Sequence, residues 1–381
     1  MKKHLKHAKI ERRNIGEFHQ NEFAVLGTPC GEIKKLSFSI IEKLKSKYKV
    51  GYVDADHKSA DEHTTDLNSA LSSGARLEYV DKINFNRFDI NQPVNSFDYK
   101  QQFESQDLVI VNGNHFKAKK QIIVIDKKKP LEKKLEKLTN VTLVLFQIGE
   151  TSIPEYLESH IPEIKEIPKF KISDLDSITD HILNQQKKNA TPMNGLVLAG
   201  GKSERMQRDK GKIDYHGVEQ RTHMNNLLSS LTTKSFISIR NEQKEEFSAD
   251  TDTIEDVYFG LGPYGAILSA FQKDPNSAWL VTACDQPLLN KETLEYLIAK
   301  RNTSKVATAF YNSETDFPEP LITIWEPRAY SRLLYFLSLG YSCPRKVLIN
   351  SDIELVRLAD EIALKNANTP EEYDNLLAML K

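Results

Sequence analysis

The sequence predicts an α/β protein of two domains, each a mostly parallel sheet with helices on both faces. Three observations carry that expectation. The chain has 381 residues, past the size at which one hydrophobic core keeps growing, so two domains of about 150–200 residues are expected. Short apolar runs alternate with amphipathic segments, the pattern of strand–helix–strand units. The polar stretch NQQKKNATPMNG (184–195) lies between a helical pattern and a fresh apolar strand. It sets the boundary near residue 190 and gives domains 1–190 and 191–381.

In the first half, EFAVLGTPCGE (22–32) reads as a strand ending at Gly27, and LSFSIIEKLKSKY (36–48) carries helical periodicity. The segments KVGYVDADH, DLVIVNGNH, QIIVID and VTLVLFQI come next as strands, with helical pieces between several of them. In the second half, NGLVLAGG, KSFISIRNE, SAWLVTACD and PLITIW are strands, while NKETLEYLIAKR and TPEEYDNLLAMLK are helices. The last carries a capping box, with Thr369 at the N-cap, Pro370 at the first helical position and Glu372 three residues after the cap. No internal repeat relates the halves.

Composition excludes several classes. Hydrophobic residues make up 39% and charged residues 28% of the chain. The longest apolar runs, such as Val141–Phe146, fall short of the roughly 20 residues that span a bilayer. The basic stretch MKKHLKHAKIERR lacks the apolar segment of a signal peptide and reads as a solvated tail, so a cytoplasmic location is expected. Cys30, Cys284 and Cys343 form no CxxC pair and are expected as reduced thiols. Net charge is +4 for residues 1–190 and −5 for residues 191–381, without the basic excess of a nucleic-acid binder.

Three features of the second half fall at proposed carboxyl ends of strands, where open parallel sheets bind ligands. The first is Gly200-Gly201, followed by Lys202, Arg205, Arg208 and Lys210. Only glycine lacks the Cβ that would keep a visitor off the backbone, and the trailing cations suit an anionic one. The second is TIEDVYFGLGPYGA, where Asp256 precedes a loop with Gly260, Gly262, Pro263 and Gly265. The third is WLVTACDQP, an apolar strand ending on Asp285, with Pro287 stopping the element. A lone carboxylate opposite a glycine turn flanked by Lys and Arg is what a metal-bound triphosphate requires, since Mg²⁺ binds through one or two carboxylates plus phosphates. Backbone amides at the glycines cradle phosphate oxygens, and Lys210 and Arg205 neutralise charge as pyrophosphate leaves. Each feature taken singly also reads as an ordinary turn or helix cap.

These residues carry a resemblance. LAGGKSERMQRDKGKIDYHG is similar to the LAGGxSxRMGxDK signature of the molybdenum cofactor guanylyltransferases, within the nucleotide-diphospho-sugar transferase-like superfamily. IEDVYFGLGPYGA, ACDQP, PLITIWEP and NANTPEEY continue the match in order over residues 193–381. The resemblance implies a Rossmann-like nucleotidyltransferase domain. Leu198, Ala199, Gly200 and Gly201 would hold the guanine and ribose-phosphate region, with Gly262 in the glycine-proline loop. Lys210 would contact phosphate with Arg205 assisting, Asp256 would contact the nucleotide, and Asp285 would bind Mg²⁺. Asn368 matches a family asparagine near the metal and pterin side, and reads equally as a turn residue before the cap. Gln207 replaces a family glycine, and Arg240 stands where an asparagine often contacts nucleotide. Ala-Gly-Gly fits guanine-using enzymes better than the Ala-Ala-Gly of cytidine-using relatives.

The implied reaction is attack by the terminal phosphate of molybdopterin, carrying molybdenum, on the α-phosphorus of GTP. Molybdoenzyme apoproteins or other cofactor-biosynthesis proteins are candidate partners, and neither nucleic acid nor membrane is expected. Two competing readings are a relative using CTP or a sugar phosphate, and a non-catalytic carrier or scaffold for the cofactor.

The first half resembles the P-loop adaptor of molybdopterin-guanine dinucleotide synthesis over residues 20–185. The supporting stretches are AVLGTPCGEIKKL, VDADHKSADEHTT and DLVIVNGNH, with Asn112 in place of a glutamate. A working P-loop reads GxxxxGK[ST]. Counted from Gly27, Glu32 takes the second glycine's place, Ile33 the lysine's and Lys34 the hydroxyl's, so nucleotide hydrolysis is expected to be lost and a docking role retained. Asp54, Asp56, His57 and His63 form a polar cluster that reads either as a metal site or as a solvated loop.

Overall fold

The computed structural model describes residues 16–56, 70–188, 191–201, 206 and 209–380. They fall into two compact units, Ile15–Asn189 and Ala190–Lys381.

The first unit runs β1 (Glu22–Leu26), α1 (Cys30–Leu44), β2 (Val50–Val53), β3 (Leu77–Asp81), β4 (Asn86–Ile90), α2 (Ser96–Phe103), β5 (Leu108–Asn112), β6 (Lys120–Ile125), β7 (Val141–Phe146), α3 (Glu155–His160), β8 (Lys169–Lys171) and α4 (Leu175–Lys188). Among the described residues, its main sheet has the order β2-β5-β1-β6-β7-β8 with every neighbour parallel. β1, β5 and β6 are buried throughout, as a parallel sheet covered on both faces demands. On one face Ile33, Leu36 and Ile40 of α1 pack with Phe23, Val25 and Ile110. A second cluster gathers Leu26, Ile123, Leu131 and Leu157.

The helix expected over residues 36–48 begins earlier, at Cys30, and ends at Leu44. Pro29 is the reason: at the N-cap its ring holds φ at −54° and delivers the chain directly into the helix. The antiparallel β3–β4 ribbon has no counterpart among the expected strands. Its turn has no Asn-Gly or Asp-Gly signal; instead Ile83 takes a φ of +68°.

The second unit runs β9 (Met193–Leu198), α5 (Gln220–Ser229), β10 (Ser235–Ile239), β11 (Thr253–Glu255), α6 (Pro263–Lys273), β12 (Ala278–Ala283), α7 (Lys291–Ala299), β13 (Ala307–Asn312), β14 (Phe317–Trp325), α8 (Ala329–Ser338), α9 (Pro344–Ile349), β15 (Glu354–Val356) and α10 (Pro370–Leu380). The sheet order is β11-β10-β9-β12-β14-β13-β15. It is mostly parallel, but β14 runs antiparallel to both β12 and β13. Val197, Ile237, Leu280 and Leu294 belong to one core cluster, and Leu196, Tyr264, Trp279 and Val281 to another. That alternation along β9 and β12 places successive side chains on opposite faces.

Two helix starts shape the carboxyl edge of this sheet. The segment read as a glycine-proline loop ends at Gly262, and Pro263 opens α6, as proline's fixed φ suits the first helical position. The capping box on α10 forms as expected: Glu372 N–H donates to Thr369 Oγ1 at 3.2 Å, and Glu372 Oε2 accepts from the N–H groups of Thr369 (3.2 Å) and Asn368 (2.6 Å).

Candidate functional site

Chain order places a switch point between β9 and β12. From β9 the chain moves outward to β10 and β11, then returns through α6 to β12 on the other side of β9. Open sheets bind ligands at the carboxyl ends beside such a reversal. A cavity of about 390 Å³ opens there. Leu198, Ala199, Gly200 and Gly201 line it from the end of β9, Asp256 from the end of β11, and Asp285 from the end of β12; Gly262 at the N-terminus of α6 and Lys210 also line it, whereas Arg240 and Asn368 of the expected set do not.

The glycines differ in what they serve. A Cβ on Gly195, inside β9, would stand 2.9 Å from Leu228 Cβ, so packing requires that glycine. Among the described residues, a Cβ on Gly201 would meet nothing within 4 Å, and one on Gly200 would make only ordinary contacts, with Arg240 Cγ at 3.6 Å and Asp256 Oδ2 at 3.8 Å. Packing therefore does not require the Gly200-Gly201 pair; it leaves main chain bare toward a cavity.

Lys210 is held from two sides. Its Nζ donates to Asn368 Oδ1 at 2.7 Å and to Asp285 Oδ2 at 3.1 Å. Both side chains of the Lys210–Asp285 pair are mostly buried, at 15% and 20% exposure, which strengthens the interaction relative to a surface pair. A small core of Met206, Ile213, Tyr215, Ala367 and Leu376 brackets the Lys210 turn and seats it against α10. Ala367 N–H donates to the Asp285 carbonyl at 2.7 Å, tying the segment before α10 to the end of β12. Asn368 thus reaches the site through Lys210 rather than by lining the cavity.

Asp256 accepts from Ser238 Oγ at 3.1 Å. Burial raises its carboxyl above the usual range, and the Ser238 hydrogen bond partly offsets this. Arg240 stands beside Gly200 and does not line the cavity, its Nε 4.0 Å from Glu242 Oε2 and without a hydrogen bond among the described residues. Arg205 and Gln207 lie outside the described residues.

The structure places Pro263 of the glycine-proline loop in the wall and adds Ser238, Ala266, Ala283, Cys284 and Leu321, which the sequence did not assign to the site. Cys284 is buried, its thiol pushed up to about 12 by desolvation and donating to the Leu198 carbonyl at 3.2 Å, so it lines the cavity as a small apolar group. Ser238 is buried near the end of β10 and Leu321 sits on β14, in the PLITIW segment already read as a strand; both belong to expected strands, but neither residue type marks a ligand site. Also on β14, Glu319 is buried, its carboxyl raised by desolvation and partly lowered by the nearby Arg345 guanidinium.

The donor set fits one hard cation in a limited way. Asp285 offers carboxylate oxygen at the cavity edge, and among the described residues no group of three or more His, Cys, Asp or Glu gathers to hold a metal. A divalent ion would therefore take one protein carboxylate and complete its shell from phosphate and water, the pattern of Mg²⁺ with triphosphates.

In the first unit the corresponding turn is closed. The Thr28 hydroxyl, fully buried, donates to Asp126 Oδ2 at 2.6 Å, and a Cβ on Gly27 would stand 2.3 Å from the Val124 carbonyl oxygen. Glu32 faces solvent paired with Lys35. Both Asp54 oxygens are engaged, by Tyr52 Oη at 2.6 Å, Ala55 N–H at 2.8 Å and Asn112 Nδ2 at 2.7 Å. His57 and His63 lie outside the described residues. Among the described residues, no helix is long and apolar enough to cross a membrane.

Comparison with known proteins bears on the second unit. Residues 195–353 match the MobA-like NTP transferase domain. A molybdenum cofactor biosynthesis bifunctional protein from Synechocystis is 34% identical over 187 residues, 49% of this chain and 54% of that protein. A molybdenum cofactor guanylyltransferase from Pseudomonas aeruginosa is 28% identical over 187 residues, 48% of this chain and 94% of that protein. The chain thus spans about half the length of the first relative and nearly all of the second. Molybdopterin-guanine dinucleotide biosynthesis protein A from Archaeoglobus fulgidus superposes with a TM-score of 0.41 at 20% identity, covering 49% of this chain and 98% of that one.

Proposed function

We propose, from the match of residues 195–353 to the MobA-like NTP transferase domain and from the cavity's lining, that the second unit transfers GMP from GTP to molybdopterin and releases pyrophosphate. The observation that carries this reading is the convergence of bare glycine backbone, Lys210, Asp285 and the N-terminus of α6 on one cavity at the switch point. GTP is preferred over CTP because Ala199-Gly200-Gly201 leaves the pattern of guanine-using enzymes intact.

Each part has a physical task. Main-chain N–H groups at Gly200-Gly201 and the first turn of α6 face phosphate oxygens with positive partial charge. Lys210, steered by Asn368 and Asp285, screens the repulsion between the incoming phosphate and the triphosphate; Arg205 assists it. Asp256 contacts the nucleotide beside Gly200, with Arg240 next to that turn. Mg²⁺, held by Asp285 when bound, would supply further neutralisation of phosphate charge. The nucleophile is already an anion, so alignment and electrostatic screening, rather than a general base, lower the barrier.

The first unit serves in this reading as a docking module for the pterin or for an acceptor apoprotein, without nucleotide hydrolysis. The internal Thr28–Asp126 hydrogen bond supports that division of labour.

The test is pyrophosphate release from GTP and from CTP, with Mg²⁺, with and without molybdopterin. Release from GTP that requires molybdopterin is expected, together with a loss of about 10²–10³-fold in the Asp285→Asn protein at unchanged circular dichroism. Release from neither nucleotide would favour a scaffold, and a fully active Asp285→Asn protein would remove the metal assignment.

A further inference from the structure

At the carboxyl edge of the first unit's sheet, separate segments bring a thiol, an imidazole and a carboxamide together. Cys30 is the first residue of the 15-residue helix α1 and is partly exposed. Its Sγ lies 3.4 Å from His115 Nε2, in the turn after β5. Asn114 Nδ2 donates to the same sulfur at 3.4 Å and to the Thr28 carbonyl at 3.0 Å, and the Asn114 N–H donates to Asn112 Oδ1 at 3.1 Å, so the carboxamide is fixed in place.

The charged groups around the sulfur come from several elements. Lys134, in the segment between β6 and β7, and Tyr52 on β2 lie close enough to feel charge on Cys30, and Asp54 after β2 feels charge on His115. The Sγ–Nε2 contact sets a nucleophile against a base, and Asn114 fixes the sulfur from a second side, the arrangement of an assisted nucleophile. The other two cysteines differ. Cys284 is buried with its thiol pushed up to about 12, and Cys343 is exposed in the second unit.

We propose that Cys30 and His115 form a nucleophilic thiol centre that takes low-molecular-weight disulfides, a covalent modification site standing where a phosphate cradle would otherwise be. His115 Nε2 accepts the Sγ proton, and the thiolate attacks one sulfur of the disulfide. The bond from Cys30 Sγ to that sulfur forms as the original S–S bond breaks, and the departing thiolate takes the proton back from the imidazolium. One disulfide is consumed and one is made, so no outside oxidant or reductant enters.

The experiment uses the full chain and oxidised glutathione, with the adduct located by mass spectrometry and its rate followed against pH. In a Cys343→Ser background, Cys30 should be modified about tenfold faster near neutral pH than Cys343 is in a Cys30→Ser background. The gap should close above about pH 9, where an unassisted thiol ionises by itself. His115→Gln should bring Cys30 down to the Cys343 rate near neutrality and leave the alkaline rate unchanged. Asn114→Ala should slow it by about threefold, the loss of one weak donor.

Equal rates for Cys30 and Cys343 near neutrality, or a His115→Gln protein as fast as its parent, would overturn the proposal. Should His115→Gln fail to fold, the pH profile of the unaltered His115 protein decides: a Cys30 midpoint equal to that of Cys343 overturns it. Pyrophosphate release by the second unit is independent of these outcomes.

Discussion

In the first unit β1 ends in Gly27-Thr28-Pro29 and α1 starts at once; in the second, β9 ends in Ala199-Gly200-Gly201 beside a cavity. Both turns sit at the carboxyl edge of an α/β sheet, yet one is filled by its own side chains and the other is bare. In the first, Thr28 bonds to Asp126, Asn114 bonds to the Thr28 carbonyl, and a Cβ on Gly27 would collide with the Val124 carbonyl oxygen. In the second, a Cβ added at Gly201 meets no atom of the described residues within 4 Å. A glycine after a strand is therefore not by itself a ligand site. The deciding property is whether the surrounding protein already uses the room that the missing Cβ leaves.

The sharpest way to break this comparison is to fill that room. Gly201→Val should lower pyrophosphate release from GTP by about 10–100-fold through steric exclusion of the nucleotide, while the melting temperature stays within about 1 °C of the parent. Gly195→Ala should do the reverse. Its Cβ meets Leu228 Cβ at 2.9 Å and Ser235 Oγ at 3.0 Å, an overpacking that costs about 1–3 kcal/mol in the second unit. Thermal melts and saturation kinetics on both proteins separate the two effects. A destabilised Gly201→Val protein with normal kinetics would show that packing fixes both glycines.

Legibility in the sequence divides along the same line. The strands around the site could be read because buried parallel strands are short continuous apolar runs ending in polar or glycine residues. Lys210, Asp285, Asp256 and the glycine pair were readable because unusual residue types stand at those ends. The Lys210–Asn368 contact was not, since it joins residues 158 positions apart in the chain and depends on the Met206–Leu376 core. Leu321 lies in a segment already read as a strand, but its place at the cavity follows from β14 running antiparallel beside β12. In the first unit, the degenerate loop announced its lost lysine and hydroxyl positions, but not that Thr28 turns inward to Asp126. That pairing lies 98 residues apart, and a threonine in a turn usually faces solvent.

A smaller effect is expected from Thr28→Val, which probes the closed turn. Losing the hydroxyl leaves the buried Asp126 carboxylate short of one donor, at a cost of about 1–3 kcal/mol. Chemical denaturation should show this loss in the transition of the first unit alone, with pyrophosphate release unchanged. Equal loss in both transitions would mean that the two units unfold together.

The smallest expected effect concerns Asp256 in the open site and has a defined pH dependence. Burial raises its carboxyl, so between its unfolded and folded pKa values the native state holds a proton that the unfolded state has released. Stability then falls as pH rises through that window, because the slope of unfolding free energy tracks protons bound in the unfolded minus the native state. Asparagine is neutral throughout and escapes the penalty. Asp256→Asn should therefore melt slightly above the parent at neutral pH, with the difference shrinking as acid protonates Asp256, and it should bind nucleotide more weakly. That combination marks a residue kept ionised for a ligand at the expense of the fold. An Asp256→Asn protein that melts below its parent at neutral pH, with the deficit vanishing toward acid, would mean instead that the charged carboxylate stabilises the empty protein, and the open turn would then be satisfied internally, as the closed one is.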